Sequence, residues 1–252
     1  MPEASQQIQG FHEKLYRSWG PQHWWPARSA FEVIIGAYLT QNTAWTNVEK
    51  ALASLRTERI GSVAGIREVP LRKLENLIRP AGYFRQKARR LKLFVKFLDR
   101  RYAGSLRKLF SQPTEQLREE LLSLEGIGPE TADSILLYAG GHEVFVVDAY
   151  TRRIVDRHGI LPATSDYETI RRLFEESLKP PPGTWPAIPA VEQRRKGAAH
   201  PPSSASRLPR SPLAQVYNEM HALIVGVGKD FCKKSQPQCD GCPLQQFLSV
   251  PK

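Results

Sequence analysis

Several things are scarce in this chain. Cysteine occurs three times in 252 residues, always between Cys232 and Cys242. An odd, clustered set with no export signal ahead of it excludes a disulfide framework and leaves metal binding or free thiols. No apolar run approaches the roughly 20 residues of a membrane helix. The N-terminal "MPEASQQIQGFHEK" lacks the basic and apolar regions of a signal peptide. A cytoplasmic protein without a membrane partner is expected. Strand-type alternation is also missing. Only Val144–Val147 has the composition of a strand, and it has nothing obvious to pair with. The six histidines are scattered without metal-ligand spacing and read as structural or surface residues.

Positive charge is abundant, with a formal net charge of +11. That implies either a polyanion partner, most commonly nucleic acid, or simply a soluble basic protein. An apolar content of 41% over this length supports a real core in one large or two small domains. The periodicity is helical. "FEVIIGAYLT" aligns Phe31, Ile34, Ile35, Tyr38 and Leu39. "QKARRLKLFVKFLDRRY" aligns Ala88, Leu91, Phe94, Val95 and Leu98, with Lys87, Arg89, Arg90, Lys92 and Lys96 on the other face. "TADSILLYA" and "YETIRRLFEESL" follow the same rule, and an all-α protein is predicted. One segment breaks the pattern. Residues 179–212 hold nine of the 20 prolines and five of the eleven net positive charges. Such a stretch cannot bury enough apolar surface to offset its ordering entropy, so a disordered basic insertion is predicted.

Two local features carry chemistry. In "LEGIGPETADSILLYA" a glycine turn joins two helices. Glycine admits positive φ and close backbone approach, and Pro129 suits a first helical position. The free N–H groups of the new helix can hold a phosphate. In "VVDAYTRRI", Asp148 stands at a helix N-cap, which alone explains its type. The apolar run "VFVV" before it would also desolvate it, as catalytic carboxylates often are. Asp133, Asp156 and Glu143 read as solvent-facing.

Together these stretches resemble the helix-hairpin-helix (HhH-GPD) DNA glycosylases of the endonuclease III superfamily. "FEVIIGAYLTQNTAWTNVEKAL", "LIRPAGYFRQKARRL" and "HALIVGVGKDFC" extend the similarity over roughly 11–178 and 213–244. The resemblance implies two helical subdomains with an active-site cleft between them and a C-terminal cysteine loop. Residues 1–29 would pack on the cysteine-loop domain. Residues 30–143 would form the six-helix-type subdomain, with the hairpin at 117–139. The second subdomain would be 144–178 and 213–252, with an iron–sulfur-like loop at 232–248.

The resemblance also implies roles. Gly126, Gly128 and the N–H groups near Thr131 would grip the phosphate backbone of double-stranded DNA containing a damaged base. Carbonyls of Leu122, Leu124 and Ile127 would hold a monovalent cation. Gln41 would fill the hole left by a flipped nucleotide, and Tyr83 would wedge the stack. Asp148 would be the catalytic carboxylate. Bifunctional members carry a nucleophilic lysine two residues past the second hairpin glycine; here that residue is Glu130, which cannot form a Schiff base. A monofunctional enzyme acting as a nucleoid-associated monomer is therefore expected. The similarity is greatest to the 3-methyladenine glycosylase branch, where Trp24, Trp25 and Trp45 would stack on a cationic alkylated purine. That branch has a modified lysine on the late helix where this chain has Leu223. Removal of mismatched uracil or thymine, removal of adenine, or an inactive DNA-binding module are the alternatives.

Cys232, Cys239 and Cys242 follow the spacing C-x6-C-x2-C of the family's cluster loop, but the fourth position is Leu248. A [4Fe–4S] cluster with four thiolates cannot form. A cluster with a fourth ligand such as Ser249, Asp240 or water, a zinc ion, or an empty loop remain open.

Overall fold

The computed structural model describes residues 2–179 and 202–248; most of the Pro-rich segment, 180–201, and Ser249 lie outside that range. The described residues contain twelve α-helices and no strand. They run α1 (Pro2–Trp19), α2 (Ala30–Leu39), α3 (Trp45–Thr57), α4 (Val63–Glu68), α5 (Leu71–Leu77), α6 (Phe84–Tyr102), α7 (Leu106–Phe110) and α8 (Thr114–Leu122). Then come α9 (Pro129–Ser134), which continues as a π-type turn over Ile135–Gly140, α10 (Ala149–Arg157), α11 (Tyr167–Leu178) and α12 (Pro212–Asp230). The chain divides into two units, one of residues 27–142 and one of 1–26 with 143–252.

In the unit 27–142, α2 is the central element. Its apolar residues were expected on one face, but Phe31, Val33, Ile34, Ile35, Ala37, Tyr38 and Leu39 are all buried. A helix apolar all round must be enclosed, and α3, α6 and the π-type turn enclose it. Ser29 caps it, accepting from the Glu32 amide at 3.2 Å. Phe94 of α6 meets Phe31 and Tyr38 at ring distances of 6.5 and 6.1 Å. The apolar stripe of α6 is buried as its spacing predicts. Lys87 is not on the solvent face expected for it: it is 2% exposed. Its spacing to Leu91, Phe94 and Leu98 places it on the core stripe, where its charge must find acceptors.

Asp133 is a second departure. Expected at the surface, it is fully buried on α9 and paired with Arg118 of α8 through bonds of 2.7 and 3.2 Å. This bidentate pair braces the two helices of the hairpin.

In the other unit α12 is central and buried along almost its whole length, from Leu213 to Gly228. Helices α1, α10 and α11 pack on it. Val144–Val147 is buried but forms no strand. Side chains supply the bonds a neighbouring strand would have made: Phe145 N–H donates to Glu175 at 2.9 Å and Val147 N–H to the Tyr167 hydroxyl at 3.3 Å. Residues 202–211, the end of the segment expected to be disordered, are structured. Ala205 is fully buried and the Ser203 hydroxyl donates to the Trp25 carbonyl at 3.0 Å.

Removing one member of a buried ion pair strands the other charge. Asp133→Leu is expected to cost about 3–5 kcal/mol in urea unfolding, and Arg118→Met/Asp133→Leu to recover most of it. A single variant as stable as the parent would show that the pair does not brace the hairpin.

Candidate active site

The hairpin is built from α8, a turn over 123–128, and α9. The turn closes with Leu124 N–H donating to Leu121 at 3.0 Å and Ile127 N–H to Leu124 at 3.1 Å. Gly126 has φ +80°, and the Arg90 guanidinium lies where a Cβ would be. Only glycine meets both demands. Gly128 has extended backbone and caps α9, with open space where its side chain would be. The first glycine thus makes the turn, and the second leaves the helix start accessible. Gln41, beyond the end of α2, donates at 2.9 Å to both the Gly126 carbonyl and the Thr131 hydroxyl. Gln41, Gly126 and Thr131 therefore form one bonded group. Tyr83 stands apart from it, 70% exposed, with left-handed backbone at φ 44°. Glu130 is exposed in the first turn of α9, where a carboxylate suits the positive end of the helix.

For the cation, the donors would be the Leu122, Leu124 and Ile127 carbonyls. Neutral carbonyl oxygens suit a monovalent ion. The Leu124 carbonyl already accepts from Ile127 and keeps one lone pair for such a role.

Asp148 lies in the other unit. It caps α10: Oδ1 accepts from the Thr151 amide at 2.8 Å and the Thr151 hydroxyl at 3.0 Å. Oδ2 takes no hydrogen bond among the described residues, and His221 Nε2 of α12 lies 3.6 Å from it. The Asp148 side chain is 13% exposed. Burial lowers the His221 pKa below its ordinary value, with the Asp148 charge pulling the other way. The carboxylate is thus held rigidly by one oxygen while the other faces an uncharged ring at neutral pH. The sequence reading passed over His221; a lone polar residue inside "HALIVGVG" was the available signal.

The three tryptophans differ. Trp25 is 5% exposed and is packed with the core. Trp24 is half-buried, meets Trp25 edge-on at 5.7 Å, and has the Lys229 ammonium 5.7 Å from its ring centre. Trp45, in the other unit, is half-buried at the start of α3. The loop leading to Trp24 is held by Glu219, another residue the sequence reading missed. Glu219 is 4% exposed and accepts from the Gln22 amide at 2.7 Å and the Gln215 amide group at 2.9 Å.

The cysteine loop follows α12. Cys232, Cys239, Cys242, His158 and Leu248 line a cavity of about 20 Å³, room for roughly one water. Among the described residues no group of three or more His, Cys, Asp or Glu is arranged to hold a metal ion. The residues present do not fit a four-thiolate cluster. Protein bonds hold the loop instead: Arg153 Nε donates to the Cys232 carbonyl at 2.6 Å, and Arg157 to Cys232 Sγ at 3.2 Å and to the Lys233 carbonyl at 2.7 Å.

Residues 35–180 match the HhH-GPD superfamily of base excision DNA repair proteins. A Methanocaldococcus jannaschii protein with the provisional name DNA repair glycosylase MJ1434 is 39% identical over 95% of this chain and 94% of its own length. Endonuclease III of Sulfolobus acidocaldarius is 24% identical over 87% of this chain and 82% of that protein. Among solved structures, the H. pylori 3-methyladenine DNA glycosylase MagIII bound to 1,N6-ethenoadenine aligns with a TM-score of 0.68 and 28% identity, covering 90% of this chain and 97% of that one. A trapped endonuclease III–DNA covalent intermediate shares the fold, with a TM-score of 0.72 at 22% identity over 97% and 95% of the two chains. The chain belongs to the HhH-GPD superfamily.

Burial raises the Glu219 pKa from 4.5 to about 7, against the bonds from Gln22 and Gln215. The folded state therefore keeps this proton longer than the unfolded chain. Its contribution to stability is full below pH 4.5 and is lost as pH rises to about 7. Between those limits, unfolding free energy is expected to fall by roughly 3 kcal/mol more for the parent than for Glu219→Gln. Parallel pH profiles for the two proteins would contradict the assignment.

Proposed function

We propose that this chain, a DNA repair glycosylase of the HhH-GPD superfamily, hydrolyses the N-glycosidic bond of a flipped alkylated purine and stops at the abasic site. The observation that carries the reading is the divided carboxylate of Asp148, one oxygen fixed by Thr151 and the other without a hydrogen bond among the described residues. A stacked duplex hides the glycosidic bond, so the nucleotide must be extruded first. Gly128 and the start of α9 then hold the phosphate backbone; the Leu122, Leu124 and Ile127 carbonyls would hold a monovalent cation, which would supply positive charge beside it. Tyr83 enters the stack and Gln41 occupies the space left by the base.

Chemistry falls to Asp148. As the bond to the base lengthens, positive charge develops on the sugar, and a fixed anion lowers the energy of that state most. The free Oδ2 also orients a water for attack at C1′. A 3- or 7-alkylated purine is cationic and leaves without strong acid assistance. Among the described residues His221 is the ring beside Asp148, and burial holds its pKa below the ordinary value, which makes it a poor source of positive charge at neutral pH. Recognition of the cationic base falls chiefly to Trp45, the position that the resemblance to the 3-methyladenine branch places in the base pocket. Each such aromatic contact is worth about 0.5–2 kcal/mol.

Glu130 in place of a lysine supports hydrolysis without β-elimination. The resemblance to MagIII supports an alkylated purine as substrate. The cysteine loop serves as a packing element clamped by Arg153 and Arg157, and no step passes through a cluster.

Base release should be measured on duplexes carrying 3-methyladenine, 7-methylguanine, G·T and G·U, with and without alkali and with borohydride. Release from the alkylated duplexes, strand breaks only after alkali, and no trapped adduct are expected. Release from G·T or G·U alone would overturn the substrate, and a trapped adduct would overturn the monofunctional mechanism. Trp45→Ala is expected to slow alkylpurine release about 10-fold; an unchanged rate would remove Trp45 from the pocket.

A further inference from the structure

One buried charge in the unit 27–142 has no part in the mechanism above. Lys87 Nζ lies 2.9 Å from the carbonyl of Leu39, the last residue of α2, and 2.9 Å from the Gln41 carbonyl and 3.0 Å from the Thr43 hydroxyl on the loop that follows. It also lies 2.8 Å from the Ala81 carbonyl, on the loop before α6. An ammonium has three N–H groups, so four acceptors share them. The Thr43 hydroxyl donates to the same Ala81 carbonyl and ties the loops a second time. Among the described residues no carboxylate is bonded to Lys87. Burial lowers its pKa to about 8, and Arg90 adds to the effect.

Both loops are strained. Asn42 has φ 51° and Tyr83 φ 44°. Left-handed backbone at non-glycine residues costs free energy and persists only where the surroundings over-determine it. One strained residue follows Gln41 directly and the other is Tyr83 itself. An apolar side chain on the Leu91, Phe94 and Leu98 stripe would fill the core without burying a charge. It would leave both loops without their shared donor.

We infer that Lys87 is a positioning residue: its ammonium ties the loop of Gln41 to the loop of Tyr83, so that the two side chains meet the duplex as one fixed pair. The chain of bonds goes further, since the Gln41 side chain is itself bonded to Gly126 and Thr131. Lys87 thus sets the register of the plug, the wedge and the hairpin turn from a site that touches no DNA. The inference rests on the proposed roles of Gln41 and Tyr83 in opening the duplex.

The test uses the full chain and a duplex with a tetrahydrofuran abasic analogue opposite 2-aminopurine, whose fluorescence rises when it unstacks. No glycosidic bond need break, so the readout is independent of lesion choice. Lys87→Met is expected to lower the fluorescence response about 10-fold and affinity for undamaged duplex less than roughly 3-fold. Lys87→Arg should restore part of the response. In a Gln41→Ala/Tyr83→Ala background, adding Lys87→Met should have no further effect, because its targets are gone. If Lys87→Met does not fold, Thr43→Val, which removes the second tie without stranding a charge, should show a smaller loss in the same direction.

A parental response in a folded Lys87→Met variant, a loss that adds to the Gln41/Tyr83 loss, or an equal loss of undamaged-duplex binding would overturn the inference. A parent that unstacks 2-aminopurine yet releases no base from any duplex would sink the proposed reaction alone. A parent that releases base while Lys87→Met keeps the full response would sink this inference alone.

Discussion

Backbone that leaves a helix inside a folded protein carries N–H and C=O groups that must find partners. In this chain the candidate site residues Gln41, Tyr83, Gly126 and Asp148 sit on such backbone, and long polar side chains, most of them on helices, serve it. Lys87 serves the loops of Gln41 and Tyr83. Gln41 serves the glycine turn. Glu175 and Tyr167 serve the buried run that delivers Asp148. Glu219 serves the loop before Trp24, and Arg153 and Arg157 serve the cysteine loop. Each is a charged or polar group buried wholly or in part, and each would be costly without its acceptor or donor. The same bonds that satisfy the loops therefore fix where their side chains point.

The Asp148 carboxylate shows how structure and chemistry share one group. An N-cap needs only one acceptor oxygen. Thr151 supplies two donors to Oδ1, which orients the whole carboxylate and leaves Oδ2 without a hydrogen bond among the described residues, as the proposed reaction requires. Capping and catalysis are then not competing explanations for the aspartate. In the proposed reaction the cap fixes the group that reacts. The "VFVV" run before it is buried and takes its backbone bonds from the side chains of Glu175 and Tyr167.

How much of this was legible in the sequence follows a physical divide. Local features were readable. The Gly126 and Gly128 turn, the Asp148 cap and the Lys-to-Glu change at Glu130 each depend on a few adjacent residues. Helical stripes gave the fold class, because 3.6-residue periodicity is local too. Buried charges were not readable, because their partners are distant in sequence. Lys87 finds acceptors 46 and 48 residues away, and Asp133 finds Arg118 on the preceding helix. Composition placed both at the surface. The stripe spacing of Lys87 did carry the signal, but its charge argued the other way. The depth of Trp25 was not readable either: its aromatic character fits a pocket or a core, and only packing shows how far it is buried.

The central claim is that the Asp148 carboxylate performs the chemistry. Asparagine caps a helix as well as aspartate does, so Asp148→Asn keeps the structural role and removes the charge. Single-turnover base release from an alkylated duplex is expected to slow about 100-fold or more, with duplex binding and melting temperature close to those of the parent. Release within a few-fold of the parental rate would mean that Asp148 only caps its helix and that the reactive group lies elsewhere.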